Sequence, residues 1–206
     1  MGGIKRAGIK EKIYICGMGV SMQSGLSELE IGILLWIQEN LRFSFLNPIM
    51  QFITTLGDKG FFWILVCILL VLFKKTRRIG VIAAVALTLN ALIVNVILKT
   101  QIMRVRPFVL EEGLSLITML PKDSSFPSVH TSASFATAVI MFKGLPGYAG
   151  IPVLVLAFLI GFSRLYVGAH FPTDVLAGAV IGTTVALAVW WYFKKYVYKD
   201  LDRLKK

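Results

Sequence analysis

The sequence predicts an all-α integral-membrane helical bundle of about five to six transmembrane helices, with amphipathic helices at its N-terminal end. Three observations carry that expectation. Apolar residues make up 56% of the 206 residues and charged ones 16%, with a mean hydropathy of +0.75, far from an average soluble domain. Five stretches approach the roughly 20 apolar residues that a helix needs to cross a hydrocarbon core about 30 Å thick. Finally, basic residues gather beside those stretches, at "KKTRR" (Lys74 to Arg78) and "KKYVYKDLDRLKK" (Lys194 to Lys206).

The elements follow in chain order. The opening "MGGIKRAGIKEK" is basic, but it lacks a following apolar region with a small-residue cleavage site, so no cleaved signal peptide is expected. A myristoylation start would need Ser or Thr where Arg6 stands. "SELEIGILLWIQENL" (Ser27 to Leu41) sets Glu28, Glu30, Gln38 and Glu39 between apolar residues at helical spacing, which reads as an interfacial amphipathic helix. "NPIMQFITTLGD" (Asn47 to Asp58) reads as a second, with Pro48 near its start and Gly57 as its stop. The candidate spans are Phe61 to Phe73, Ile79 to Leu98, Ser128 to Phe142, Tyr148 to Phe162 and Val175 to Phe193. The third carries Ser128, His130, Thr131, Ser132, Ser134 and Thr137, so it faces protein or a water-filled cavity, not lipid. Trp63, Trp190 and Trp191 read as interfacial anchors. Neither Cys16 nor Cys67 has the neighbours for a metal site, and no disulfide is expected. No repeat is visible. The length suits a single domain over 1–206, divided into an N-terminal region 1–58, a helical core 59–198 and a basic tail 199–206.

Charge supplies the orientation. The 22 Lys and Arg exceed the 11 Asp and Glu, for a net charge of +11. In a soluble protein that would suggest nucleic acid. Here it lies next to apolar runs, which fits orientation signals and anionic headgroups and excludes a nucleic-acid partner. With "KKTRR" in the cytoplasm, Lys99 to Pro127 and Ser163 to Asp174 fall outside, while Lys143 to Gly147 and the C-terminus fall inside. Lys5, Arg6, Lys10 and Lys12 carry the same bias, and satisfying it too requires one crossing within Ile13 to Leu41.

Three polar segments thus share the outer face: "KTQIMRVRPF" (Lys99 to Phe108), "SSFPSVH" (Ser124 to His130) and "SRLYVGAHFPTD" (Ser163 to Asp174). They hold both histidines of the chain, His130 and His170, and the cations Lys99, Arg104, Arg106 and Arg164. Charge at membrane depth is costly, which makes such a cluster a functional site by default. No group of Asp and Glu suits Mg²⁺ or Ca²⁺, and no Cys/His group suits zinc. The inventory fits a phosphate ester handled without a metal or other cofactor. Arginine forks and a lysine neutralise the equatorial oxygens. One imidazole attacks phosphorus while a second protonates the departing oxygen. Asp174, four residues after His170, can hold the other ring nitrogen's proton. Ser128 follows Pro127 at a helix start, where its hydroxyl and the N–H of Val129 offer an anion site.

These residues resemble a known family. Lys99, six residues, then Arg106-Pro107 is similar to its first signature. "PSVH" (Pro127 to His130) is similar to its second, Pro-Ser-Gly-His, with Val129 in place of glycine. "SRLYVGAHFPTD" is similar to its third: Ser-Arg, five residues, His, three residues, Asp. The family is the type 2 phosphatidic acid phosphatases, whose catalytic core is shared with vanadium haloperoxidases and bacterial acid phosphatases. The resemblance implies His170 as the nucleophile that forms a phosphohistidine, Asp174 as its orienting partner and His130 as the acid for the leaving group. It further implies Lys99, Arg106, Ser128, the Val129 N–H and Arg164 as phosphate ligands.

Plainer roles stand beside these. Ser128 can be only an N-cap, Lys99 a snorkelling helix end, and Asp174 a counter-charge at a helix N-terminus. Arg104 matches no motif position and reads as a headgroup anchor. The expected activity is a multi-pass cell-membrane phosphatase with an extracytoplasmic site, acting on a lipid phosphate or pyrophosphate among membrane lipids. Undecaprenyl pyrophosphate is the favoured substrate, with phosphatidylglycerophosphate or phosphatidic acid as the alternative. A transporter would spread polar groups through its spans with pseudo-repeats, and a lipid-phosphate-binding protein would dispense with His170. Oligomeric state is not legible.

Overall fold

The structure, a computed structural model, describes residues 24–198. The basic start of the chain, Cys16 and the tail at 199–206 lie outside the described residues. Every regular element described is helical. In order they are α1 (Ser24–Leu41), α2 (Leu46–Thr55), a 3₁₀ turn at Asp58–Gly60, α3 (Phe61–Leu72), α4 (Arg77–Ala91), α5 (Pro107–Leu110), α6 (Val129–Gly144), α7 (Gly147–Tyr166) and α8 (Pro172–Tyr192). α4 runs on through a π-helical segment at Leu92–Leu98 and ends at Gln101, and α8 ends in a second π-helical segment at Phe193–Val197.

Three helical stretches are long and apolar enough to cross a membrane: Arg77–Gln101, Gly147–Tyr166 and Pro172–Val197. α2 and α3, bent by 48° where they join through the 3₁₀ turn, make a fourth when taken as one broken span. The expected spans over α3 and α6 are helices, of 12 and 16 residues. α6 is short because it does not meet lipid along its length. It is the central helix, packed by α8, α7 and α4, and most of its residues are buried.

Lipid tails are as apolar as leucine, so helices in a bilayer are held together by close packing and internal polar pairing. α6 shows both. Its hydroxyls are all spoken for: Ser134 donates to the His130 carbonyl at 2.7 Å and accepts from the Trp63 indole at 2.9 Å, Thr137 donates to the Ala133 carbonyl at 2.7 Å, and Ser132 accepts from Asn90 at 3.1 Å. Against it, α8 turns Gly182, where a Cβ would stand 2.2 Å from the Ser132 carbonyl oxygen. Only a bare backbone fits that contact. The apolar core beneath the polar end joins Trp63, Cys67, Ile82, Phe135, Ile140, Ile160 and Trp190. Trp63 and Trp190, expected at the membrane interface, are therefore core residues. The indole N–H that would favour headgroups is satisfied in Trp63 by Ser134, and the ring of Trp190 lies under Lys143. Trp191 is exposed.

α1 differs from the sequence reading at Glu30, which is buried instead of lying on the polar side. Its Glu30, Leu34 and Ile37 face inward, while Leu26, Leu29, Ile33 and Trp36 are exposed. The helix lies against α7 and α8 with apolar residues on both its inner and outer sides and one carboxylate inside. At the far end of the bundle Arg78 stacks on Tyr198 and Lys143 on Trp190, so these basic residues sit away from the polar loops described next.

Replacing Gly182 with alanine forces α6 and α8 apart and destabilises the protein by about 1–3 kcal/mol. Unfolding in detergent checks this, with Gly32→Ala as the control, since no atom lies within 4 Å of a Cβ built there.

Candidate active site

The three polar stretches converge at one end of the bundle. Backbone bonds tie them: the Ser128 N–H donates to the Asp174 carbonyl at 3.1 Å and the Ser125 N–H to the Arg104 carbonyl at 2.9 Å. Between them opens a cavity of about 940 Å³. Of the eight residues singled out from the sequence, Lys99, Arg106, Val129, His130, Arg164 and His170 line it. Ser128 and Asp174 are fully buried behind it.

Each side chain is held from a different element. Lys99 closes the extended α4 and pairs with Asp123. Arg106 precedes Pro107, the first residue of α5, in extended backbone. It donates to the Asp123 carboxylate at 2.7 Å, the Asp123 carbonyl at 3.0 Å and the Ala169 carbonyl at 2.7 Å. Arg164 lies in the last turn of α7, buried, with one guanidinium nitrogen on the Thr54 hydroxyl at 2.5 Å and its Nε without a partner. Ser128 caps α6; its oxygen accepts from the Thr131 hydroxyl at 2.9 Å and the Thr131 N–H at 3.5 Å. The N–H of Val129 begins that helix and has no intrahelical acceptor. Ser163, the signature residue without a sequence-level role, donates to the Ile160 carbonyl at 2.7 Å within its own helix.

The imidazoles have distinct surroundings. His170 lies between α7 and α8, almost wholly buried. The Arg106 guanidinium stands 3.3 Å from its Nε2. Arginine only donates, so Nε2 is the acceptor and the ring proton belongs on Nδ1. Nδ1 faces Asp174 Oδ2 at 3.6 Å, beyond hydrogen-bond reach. That oxygen already accepts from the Ser125 hydroxyl at 2.5 Å and the Phe171 N–H at 2.9 Å. Burial pushes the His170 imidazole down to about 3, with Arg164 and Arg106 adding to the effect and Asp174 opposing it. His130 reaches Asp58 through Nε2 at 2.8 Å, and its ring covers Gly57, where a Cβ would stand 2.4 Å away.

Three residues escaped the sequence reading. Asp58 and Asp123 carried no motif signal. Arg104 is not a headgroup anchor: it binds Asp174 at 2.6 Å and the Thr173 hydroxyl at 2.7 Å, pairs with Glu30, and lies 4.0 Å over the Phe171 ring. Burial works against ionisation of Asp123, yet Lys99 and Arg106 outweigh it and hold the carboxyl at about 2. Asp123 therefore stays charged near neutral pH and pairs with both Lys99 and Arg106.

Residues 79–198 match the family model described as the PAP2 superfamily. The chain is 33% identical over 141 residues to a protein named undecaprenyl-diphosphatase from Sulfolobus acidocaldarius, covering 68% of each. It is also 33% identical to one named bacitracin transport permease protein BcrC from Bacillus licheniformis, covering 87% of this chain and 89% of that one. Among solved structures, a transmembrane PAP2-type phosphatidylglycerolphosphate phosphatase from Bacillus subtilis aligns with a TM-score of 0.68 at 26% identity, over 93% of this chain and 97% of that one.

Two outcomes follow from these charges. Asp123 is 54% exposed, so its pairs are worth little in water, and Asp123→Asn tightens orthovanadate binding by about two- to fivefold, measured by isothermal titration in detergent. The folded pKa of His170 lies below its ordinary value of 6.5, so between pH 6.5 and about 3 the unfolded chain binds a proton that the folded chain does not. Stability is full above that window and falls with pH through it. Melting midpoints across this range check the slope, which flattens in His170→Gln.

Proposed function

The chain belongs to the PAP2 superfamily, and on that premise we propose that it cleaves the terminal phosphate of a lipid pyrophosphate, undecaprenyl pyrophosphate above others, through a phosphohistidine. It is an integral-membrane phosphatase; the substrate and the route are our reading. One observation carries the route: the buried His170, with its Nε2 on the Arg106 guanidinium, lines a cavity that Lys99, Arg106 and Arg164 also line.

The terminal phosphate enters where Asp123 now sits, its oxygens on Lys99, Arg106, Arg164 and the Val129 N–H, with the Ser128 hydroxyl behind. His170 Nε2 forms a bond to phosphorus as the bond to the bridging oxygen breaks. His130 gives that oxygen its proton, so the lipid monophosphate leaves. The new imidazolium keeps its Nδ1 proton, and Asp174 Oδ2 closes from 3.6 Å to stabilise it. His130 then takes a proton from water, the water oxygen bonds to phosphorus, and the P–N bond breaks to release phosphate and restore His170. The cationic cradle supplies the charge neutralisation that a metal would otherwise provide.

Arg78 and Lys143 at the opposite end support an extracytoplasmic site by the positive-inside rule. We read the chain as one domain acting on lipid substrate among membrane lipids. The name of the Bacillus subtilis structure favours phosphatidylglycerophosphate as the second substrate reading, with phosphatidic acid beside it. The permease name of the Bacillus licheniformis relative suggests transport, but the histidines and their cations here gather at one end of the bundle.

Phosphate release from undecaprenyl pyrophosphate, phosphatidylglycerophosphate and phosphatidic acid, measured in detergent with EDTA, is expected to be fastest on the first. Complete loss in EDTA would sink the metal-independent route. His170→Ala is expected to lose turnover by at least about 10⁴-fold while still binding vanadate; substantial residual turnover refutes the nucleophile.

A further inference from the structure

We infer that Arg104 and Glu30 are positioning residues for the reaction, holding Asp174 in the orientation from which it serves His170, and that α1 therefore completes the site. This role rests on His170 and Asp174 acting as nucleophile and partner.

The carboxylate of Asp174 is fully buried and its oxygens are divided. Oδ1 takes Arg104 at 2.6 Å, while Oδ2 takes Ser125 and the Phe171 N–H and faces His170 Nδ1. Contacts on both oxygens fix the plane of the group. With Oδ1 released, the carboxylate turns about its Cβ–Cγ bond and Oδ2 leaves the line to Nδ1. Arg104 is itself held on two sides, by the Phe171 ring at 4.0 Å and by Glu30. Glu30 is buried to 3% exposure, and its second oxygen accepts from the Thr173 N–H at 2.8 Å and the Thr173 hydroxyl at 2.6 Å. One guanidinium between two buried carboxylates leaves neither charge unpaired, which is the condition for burying them. Glu30 comes from a helix that precedes residues 79–198, the stretch that matches the family. The reacting loop at the start of α8 is thus clamped by a part of the chain outside that match.

A purely structural ion-pair network would lower stability and the folded fraction without acting through Asp174. A double-mutant cycle separates the two. The full chain in detergent, with undecaprenyl pyrophosphate as substrate and orthovanadate as binding probe, is compared as wild type, Arg104→Gln, Asp174→Asn and the double variant. Arg104→Gln is expected to lower kcat by up to about 100-fold, with KM and vanadate affinity changed by less than about twofold. In the Asp174→Asn background it is expected to add nothing. Glu30→Gln shows a smaller kcat loss that also vanishes in that background. Arg104→Lys restores part of kcat and carries the test if Arg104→Gln does not fold. Unchanged kcat in Arg104→Gln, losses that multiply in the double variant, or a loss confined to KM would overturn the role. Wild-type kcat in Asp174→Asn would instead overturn the pairing of His170 with Asp174 itself.

Discussion

The contact between α6 and α8 fixes where the two imidazoles and the polar loops around them lie. Because Gly182 has no side chain, the two helices touch backbone to backbone, and at their upper ends the Ser128 N–H reaches the Asp174 carbonyl. That bond joins the start of α6, with Val129 and His130, to the start of α8, which carries Asp174 and directly follows the loop of His170. Without it the two imidazoles would lie on separate loops with no fixed relation. The remaining elements hang on this pair: α4 brings Lys99, α7 brings Arg164, and the bend between α2 and α3 brings Asp58 to His130.

Electrostatics is handled by partnership, not by exposure. Most charges near the cavity have a counter-charge: Lys99 and Arg106 share Asp123, and Arg104 lies between Glu30 and Asp174. Arg164 meets a hydroxyl, keeps its Nε free and faces the cavity. Truncating one member of such a set leaves the others buried and unpaired, which costs more than the pair contributed.

Much of this was legible in the sequence, for a physical reason. The three signatures are local: each places its groups within one loop or one helix turn, so spacing alone shows which residues can meet. Charge bias along the spans then brought the three to one end. What stayed hidden was pairing across long separations. Glu30 and Arg104 are 74 positions apart and Asp58 and His130 are 72 apart, and no periodicity links them. Trp63 was misread because an indole reads as interfacial until its N–H finds Ser134 on another helix. Glu30 was misread because a glutamate every few positions on an apolar helix looks like a wet face, and only the tertiary fold supplies the guanidinium that draws it inward.

Asp123 bears on selectivity in a crowded bilayer. A cationic cavity at a membrane surface is surrounded by lipid headgroups with a single negative charge, present in vast excess over any one substrate. With Lys99 and Arg106 already sharing a carboxylate, a phosphodiester would exchange one monoanion for another and gain little from the trade. A terminal phosphate carrying close to two charges and three free oxygens gains more from the same two cations. In the proposed reaction the tethered carboxylate would work as a threshold, discounting the common headgroup and admitting the rare dianion.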